Sequence, residues 1–132
     1  MSTHFHAVVW IDHHEARIFH FNSAEADRVV VHPADRTVHL HHKANSIGSG
    51  HAAEDQAFLQ KVTDAIGDAG AVLITGPAGE KTELVKHIEL HAPKVRSKVA
   101  GIETVDHPSD GMIVDHARRY FKLDHQAPPR SQ

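Results

Sequence analysis

The chain has no cysteine among its 132 residues. That excludes a disulfide framework and any thiolate metal site, and it points to a reducing cytoplasm rather than to secretion. No apolar run approaches the ~20 residues that cross a bilayer. Met1 to His14 mixes polar with apolar residues, so neither a signal peptide nor a membrane span is expected. Aromatics are scarce, at 5%, and neither sign of charge dominates, the net charge being −3 with histidine neutral. The chain as a whole therefore lacks the basic excess that marks many nucleic-acid binders. No internal repeat or low-complexity block interrupts it. With 40% hydrophobic and 23% charged residues, the composition fits one soluble globular domain with a modest core.

What the chain has in excess is histidine: fifteen, scattered from His4 to His125 rather than gathered in a tag. Near pH ~6.5 about half of the exposed ones carry a proton, which takes the chain across zero to a positive charge. Its attraction to an anionic partner is therefore expected to change within the physiological range.

The organising stretch is Gly70 to Thr82. Ala71 to Thr75 is a short β-branched apolar run closed by Gly76 and Pro77. A continuous apolar strand of this kind has both faces covered, so a central position is expected. Pro77 to Glu80 leads into a helix from about Glu80 to Ala92, stopped by Pro93. Gly79-Glu80-Lys81-Thr82 resembles the end of a phosphate-binding loop, but the spacing fails. That cradle needs glycine just before Lys-Thr and another five residues earlier, where this chain has Glu80 and Thr75. A turn feeding a helix is the better reading.

In chain order, His4 to Asp12, Ala16 to Asn22 and Asp27 to His32 read as three strands joined by short turns, hence an antiparallel meander. Asp35 to His51 is polar and histidine-rich and reads as an arm and a loop. Ala52 to Ile66 carries Phe58, Val62, Ala65 and Ile66 at helical spacing and ends at Gly67. After the central strand and its helix, Pro93 to Lys98 is expected to form one more turn. Val99 to Val105 follows as a second buried strand. Asp106 to Asp110 then supplies cap chemistry for a last helix with Ile113, Ala117, Tyr120 and Phe121 on its face. Residues 1–122 form one domain in this reading, and 123–132, with Pro128-Pro129-Arg130, a disordered tail. The fold class is α/β: a ribonuclease H-like mixed sheet, three antiparallel strands followed by alternating helices and parallel strands.

Phe5-His6-Ala7-Val8-Val9-Trp10-Ile11-Asp12, a turn, and Ala16-Arg17-Ile18-Phe19 together resemble the opening hairpin of a known domain. It is the central domain of the eukaryotic and archaeal class-1 peptide release factor and its relative Pelota. Val72-Leu73-Ile74-Thr75-Gly76-Pro77-Ala78, then Lys81-Thr82-Glu83-Leu84, is similar to that domain's strand, glycine-containing loop and helix start. Ser97-Lys98-Val99 and the Asp110-Gly111 helix also match, so the likeness spans nearly the whole ordered chain. The family's catalytic signature is Gly-Gly-Gln, and the corresponding stretch here is Ile47-Gly48-Ser49-Gly50-His51, with no glutamine. The resemblance therefore implies ribosome occupancy without peptide release, as in Pelota-like and hibernation factors. The flanking decoding and C-terminal domains are absent, so a free-standing central domain is expected.

Two other readings rest on the residues alone. A metal-dependent nuclease of ribonuclease H-like fold would use Asp12 with Glu54 or Asp55 and Asp106 or Asp110, although each acid also suits a turn or a helix start. Zinc or nickel binding would use His87 and His91, one helical turn apart, or the strand pairs His4 with His6 and His39 with His41. No cofactor is otherwise called for.

The preferred expectation is a non-enzymatic cytoplasmic factor that binds the ribosome or RNA. Its contact tip is His39 to His51. Lys43, Asn45, Ser46, Ser49 and His51 offer donors to phosphate or ribose, and Gly48 and Gly50 allow close backbone approach. Lys94, Arg96, Lys98, Arg118, Arg119 and Lys122 would form a second basic face if the last two helices lie side by side. No membrane partner is expected, and no pattern specifies an oligomer.

Overall fold

The computed structural model describes residues 4–33 and 49–123, with the backbone alone for 49–54. Its five strands are β1 (His6–Ile11), β2 (Ala16–Phe21), β3 (Ala26–Val31), β4 (Ala71–Gly76) and β5 (Val99–Thr104). Its helices are α1 (Ser49–Ile66), α2 (Glu80–His91), the single turn α3 (Pro93–Arg96) and α4 (Asp110–Tyr120). The strands form one sheet in the order β3-β2-β1-β4-β5. β1, β2 and β3 pair antiparallel, whereas β4 pairs parallel to β1 and β5 parallel to β4. This is the mixed α/β arrangement that the strand pattern predicts.

Both hairpin turns rest on the same local chemistry. Asp12 Oδ1 accepts from the amides of His14 and Glu15 at 2.8 and 3.0 Å. Asn22 Oδ1 accepts from those of Ala24 and Glu25 at 2.9 and 2.7 Å. A short side chain that satisfies two turn amides fixes a tight reversal, which is why Asp and Asn stand at these two strand ends.

Strand alternation divides the core in two. Ala7, Val9 and Ile11 of β1, Ile18 of β2 and Val72 and Ile74 of β4 face α1 and α2, where Phe58, Leu59, Val62, Ile66, Leu84 and Ile88 cover them. Val8, Trp10, Phe19, Phe21 and Leu73 face the other way and pack against Ile113, Val114 and Ala117 of α4. β1 and β4 are thus buried on both sides, and each fully buried aliphatic or aromatic side chain contributes roughly 1.5–3 kcal/mol. Leu123, the first residue assigned to the tail, is buried in the second cluster. Residues 124–132 lie outside the described part.

Two expectations about this frame are corrected. β5 is an edge strand whose residues alternate half-buried and exposed, because among the described residues no strand pairs beyond it. α1 begins at Ser49, three residues before the expected Ala52.

Gly76 ends β4 where any side chain is excluded, since a Cβ there would lie 2.3 Å from the Ile11 carbonyl oxygen. β1 and β4 approach so closely at this point that only glycine fits.

Candidate functional site

The carboxyl ends of parallel strands are where open α/β sheets bind ligands. At that edge Asp12 and His13 follow β1, Gly76 to Gly79 follow β4, and Asp106 to Pro108 follow β5. Val31, the last residue of β3, pairs with Ala16, which pairs with Ile11, so β3 also ends here. The predicted contacts Lys43, Asn45, Ser46 and Gly48 lie outside the described residues, and Ser49, Gly50 and His51 belong to the first turn of α1.

Glu80 is buried at the first position of α2, with His13 Nδ1 3.0 Å from its carboxylate. Burial pushes the Glu80 carboxyl above the usual carboxylate range, the His13 imidazole pulls it down, and Asp55, Glu83 and Asp12 push it further up. Lys81 does not reach into the loop as a phosphate-binding lysine would. Its Nζ turns back and donates to the Ala78 carbonyl at 2.6 Å, which agrees with the failed spacing of the motif.

Three of the carboxylates named for a nuclease are otherwise engaged, and the Glu54 side chain lies outside the described residues. Asp12 holds the first hairpin turn, Asp106 Oδ1 meets the His107 ring at 3.0 Å, and Asp110 is ion-paired with Arg17 and Arg28. Among the described residues no three His, Asp or Glu side chains lie close enough to share a metal ion.

Next to these ends opens a cleft of about 580 Å³ between the end of β5 and α4, walled by Val105, Asp106, His107, Met112, His116 and Arg119. A network invisible to sequence spacing fixes its outer loop. Trp10 Nε1 donates to the Asp106 carbonyl at 2.7 Å, and Arg17 donates to the Pro108 carbonyl at 3.2 Å while lying 4.5 Å over the Trp10 ring. Cation–π stacking and two backbone contacts thus tie the loop to β1 and β2. The signal available in the sequence was the pairing of Trp10 with Arg17 across the first hairpin.

His87 and His91 do stack, with ring centroids 4.4 Å apart. His87 is nevertheless buried, with Nδ1 2.8 Å from Gln56 Oε1 and Nε2 2.8 Å from Gln60 Oε1. Gln60 Nε2 donates to Asp64 Oδ1 at 2.8 Å, which leaves Gln60 Oε1 to accept from His87 Nε2–H. Burial, reinforced by His91, holds the His87 imidazole below its usual value. A neutral ring with both nitrogens engaged binds metal only by giving one partner up.

Comparison with known structures decides the fold's kinship. The chain superposes on Archaeoglobus fulgidus Pelota with a TM-score of 0.61 at 10% identity, covering 92% of this chain and 33% of that one. It superposes on the archaeal translation termination factor aRF1 with a TM-score of 0.63 at 9% identity, covering 92% and 37%. For Thermoplasma acidophilum Pelota the TM-score is 0.60 at 17% identity, covering 89% and 34%. The fold is that of a Pelota/aRF1-like domain. The chain spans about a third of the length of these proteins. No protein-family model and no curated protein sequence matches it.

In this Pelota/aRF1-like fold the expected second basic face does not assemble. α2 and α3 cover one side of the sheet and α4 the other, so Lys94 and Arg96 stand apart from Arg118, Arg119 and Lys122. Arg96 pairs with Glu89 at 3.0 Å, Lys98 Nζ donates to the Gly67 carbonyl at 3.1 Å, and Arg118 donates to the Asn22 carbonyl at 2.9 Å. These cations hold the fold together rather than line one surface.

Proposed function

We propose that the protein is a translation-associated accessory factor of the cytoplasm that binds the ribosome or RNA and does not catalyse peptide release. The observation that carries this reading is the likeness of fold, over 92% of the chain, to Pelota and to an archaeal termination factor. The sequence supports the second half: Ile47-Gly48-Ser49-Gly50-His51 stands where the resembling family carries Gly-Gly-Gln. Without the glutamine amide, the group that serves release chemistry in that family has no counterpart.

The contact is assigned to Lys43, Asn45, Ser46, Gly48, Ser49, Gly50 and His51. Their chemistry supports backbone recognition: one ammonium, one amide, two hydroxyls and one imidazole to face phosphate and ribose, with two glycines for close approach. β3, which precedes the segment, ends at the same edge of the sheet as β1 and β5, which His13 and His107 follow. Deleting Ala44 to Gly50 tests the assignment. Pelleting with ribosomes is expected to fall severalfold while the melting temperature is nearly unchanged. A deletion protein that pellets as well as the parent sinks the assignment.

A further inference from the structure

The cleft between the end of β5 and α4 plays no part in the assigned contact. Its volume of about 580 Å³ falls within the range of about 300–1,000 Å³ usual for small-molecule sites. It opens beside the carboxyl ends of β4 and β5, where open α/β sheets bind ligands. Its floor is apolar in effect. Thr75 is buried and spends its hydroxyl on the Val9 carbonyl at 2.8 Å, and Val105 and the buried Ile113 lie beside it. An occupant therefore has to bring an apolar surface.

The rim carries acceptors and donors together. Asp106 and Asp115 bring carboxylates, and His107, His116 and Arg119 bring ring and guanidinium nitrogens. Two acids disfavour a bare anion and Arg119 disfavours a bare cation, so charge alone does not select the occupant. No three candidate metal ligands converge among the described residues. A Phe, Tyr or Trp side chain brings at most one polar atom to such a rim. A flat apolar ring whose edge holds donors and acceptors side by side matches both floor and rim, and a nucleobase is such a ring.

The polar groups are in place before a ligand arrives. Glu103 Oε1 accepts from His116 Nε2, which sets the neutral ring's tautomer and leaves Nδ1 as an acceptor. His107 Nδ1 donates to Asp106 Oδ1 at 3.0 Å, and the ring lies against Trp10 with centroids 5.2 Å apart. An exposed ring is thus braced for stacking. Met112, 62% exposed on α4, adds a polarizable thioether suited to an aromatic face. Arg119 follows His116 by three residues on the same helix face and makes no ion pair among the described residues, so its guanidinium is open to a phosphate.

We propose that this cleft binds a nucleotide, with the base on the apolar floor between Met112 and the His107 ring, its edge toward Asp115 and His116, and its phosphate on Arg119. The nucleotide is an unpaired residue of an RNA strand or a free mononucleotide. In the first case the site rests on the RNA-binding reading and adds a contact apart from residues 43–51. In the second it stands independent of that reading.

Titration calorimetry on the full chain tests it with GMP, guanosine, ribose 5-phosphate and the trinucleotide ApGpA. Saturable GMP binding is expected, with binding about tenfold weaker for guanosine, which lacks the phosphate, and for ribose 5-phosphate, which lacks the base. Arg119→Gln is expected to bring GMP down to the guanosine level. Met112→Ala is expected to weaken GMP and guanosine alike, by about fivefold. Leu90→Ala, which removes an exposed apolar side chain on α2 outside the cleft, changes neither. ApGpA binding at least ~10-fold more tightly than GMP assigns an RNA strand, and a smaller difference assigns a free nucleotide. No saturable heat up to ~10 mM with either GMP or ApGpA overturns the proposal. So does ribose 5-phosphate binding as tightly as GMP, or a GMP affinity that both cleft variants leave intact. Ribosome pelleting keeps the two readings apart: a protein that pellets but binds neither probe sinks this site alone, and one that binds GMP but never pellets sinks ribosome association alone.

Discussion

Arg17 and Asp110, 93 residues apart, meet at 2.8 Å between Nη1 and Oδ1. Arg28 takes the other carboxylate oxygen at 2.8 Å, so a single aspartate binds β2, β3 and the first turn of α4 together. Arg17 is largely buried while Asp110 is more than a third open to solvent, which tempers the pair's strength through screening. The hydrogen bond from Arg17 nonetheless holds the Asp110 carboxyl below its ordinary range, with Arg28 adding to it.

Asp110→Asn is therefore expected to destabilise the protein by about 1 kcal/mol near pH 7. A carboxyl whose pKa is depressed on folding stabilises above its unfolded value of about 3.9, and the gain is lost as pH falls through the folded value. Urea unfolding of parent and variant should show a gap that is constant above pH ~5 and closes below pH ~4. A gap independent of pH would mean that the side chain acts through shape alone.

The glycines flanking the loop after β4 should respond differently to alanine. Gly76→Ala sets a Cβ 2.3 Å from the Ile11 carbonyl oxygen, a backbone atom that cannot yield without parting β1 from β4, so a loss of about 2 kcal/mol or more is expected. Gly79 caps α2 in an ordinary right-handed conformation, and a Cβ there meets nothing within 4 Å. Gly79→Ala should stay within about 0.5 kcal/mol of the parent. Thermal melts of the two variants side by side check both values, and similar losses would contradict the close approach of the strands.

His87 gives the protein an acid-sensitive contact. Its imidazole is held below the usual value, chiefly by burial, so the unfolded chain takes up a proton there first as pH falls below ~6.5. That uptake costs stability on the acid side, and none above it. His87→Gln keeps a polar group toward Gln56 and Gln60 but cannot titrate. Its melting temperature should therefore fall less than the parent's between pH ~7.5 and ~5.5. Parallel declines in the two proteins would remove His87 from the account.

The succession of strands and helices along the chain, the split of β1 into two buried faces and the span of α2 were legible in the sequence, because each is a local pattern: alternation, a continuous apolar run, Pro77 before a helix and Pro93 after it. The edge position of β5 was not, since Val-Ala-Gly-Ile reads the same whether or not a further strand pairs with it. The placement of α4 opposite α2 and α3 was equally hidden. Basic residues near in sequence therefore ended on different sides of the sheet. Arg17 with Asp110, and His20 with Asp68, depend on contacts across the whole topology, and no spacing rule reaches them. The residues assigned to ribosome contact came from composition and family resemblance, and most fall outside the described residues.

The most direct test of ribosome association is the fraction of the full-length protein that pellets with purified ribosomes through a sucrose cushion, at low salt and pH ~6 and again at pH ~7.5. The account predicts pelleting at the lower pH, less at the higher as histidines lose their protons, and release as salt rises through counterion competition. Protein that stays in the supernatant at low salt and pH ~6 contradicts it.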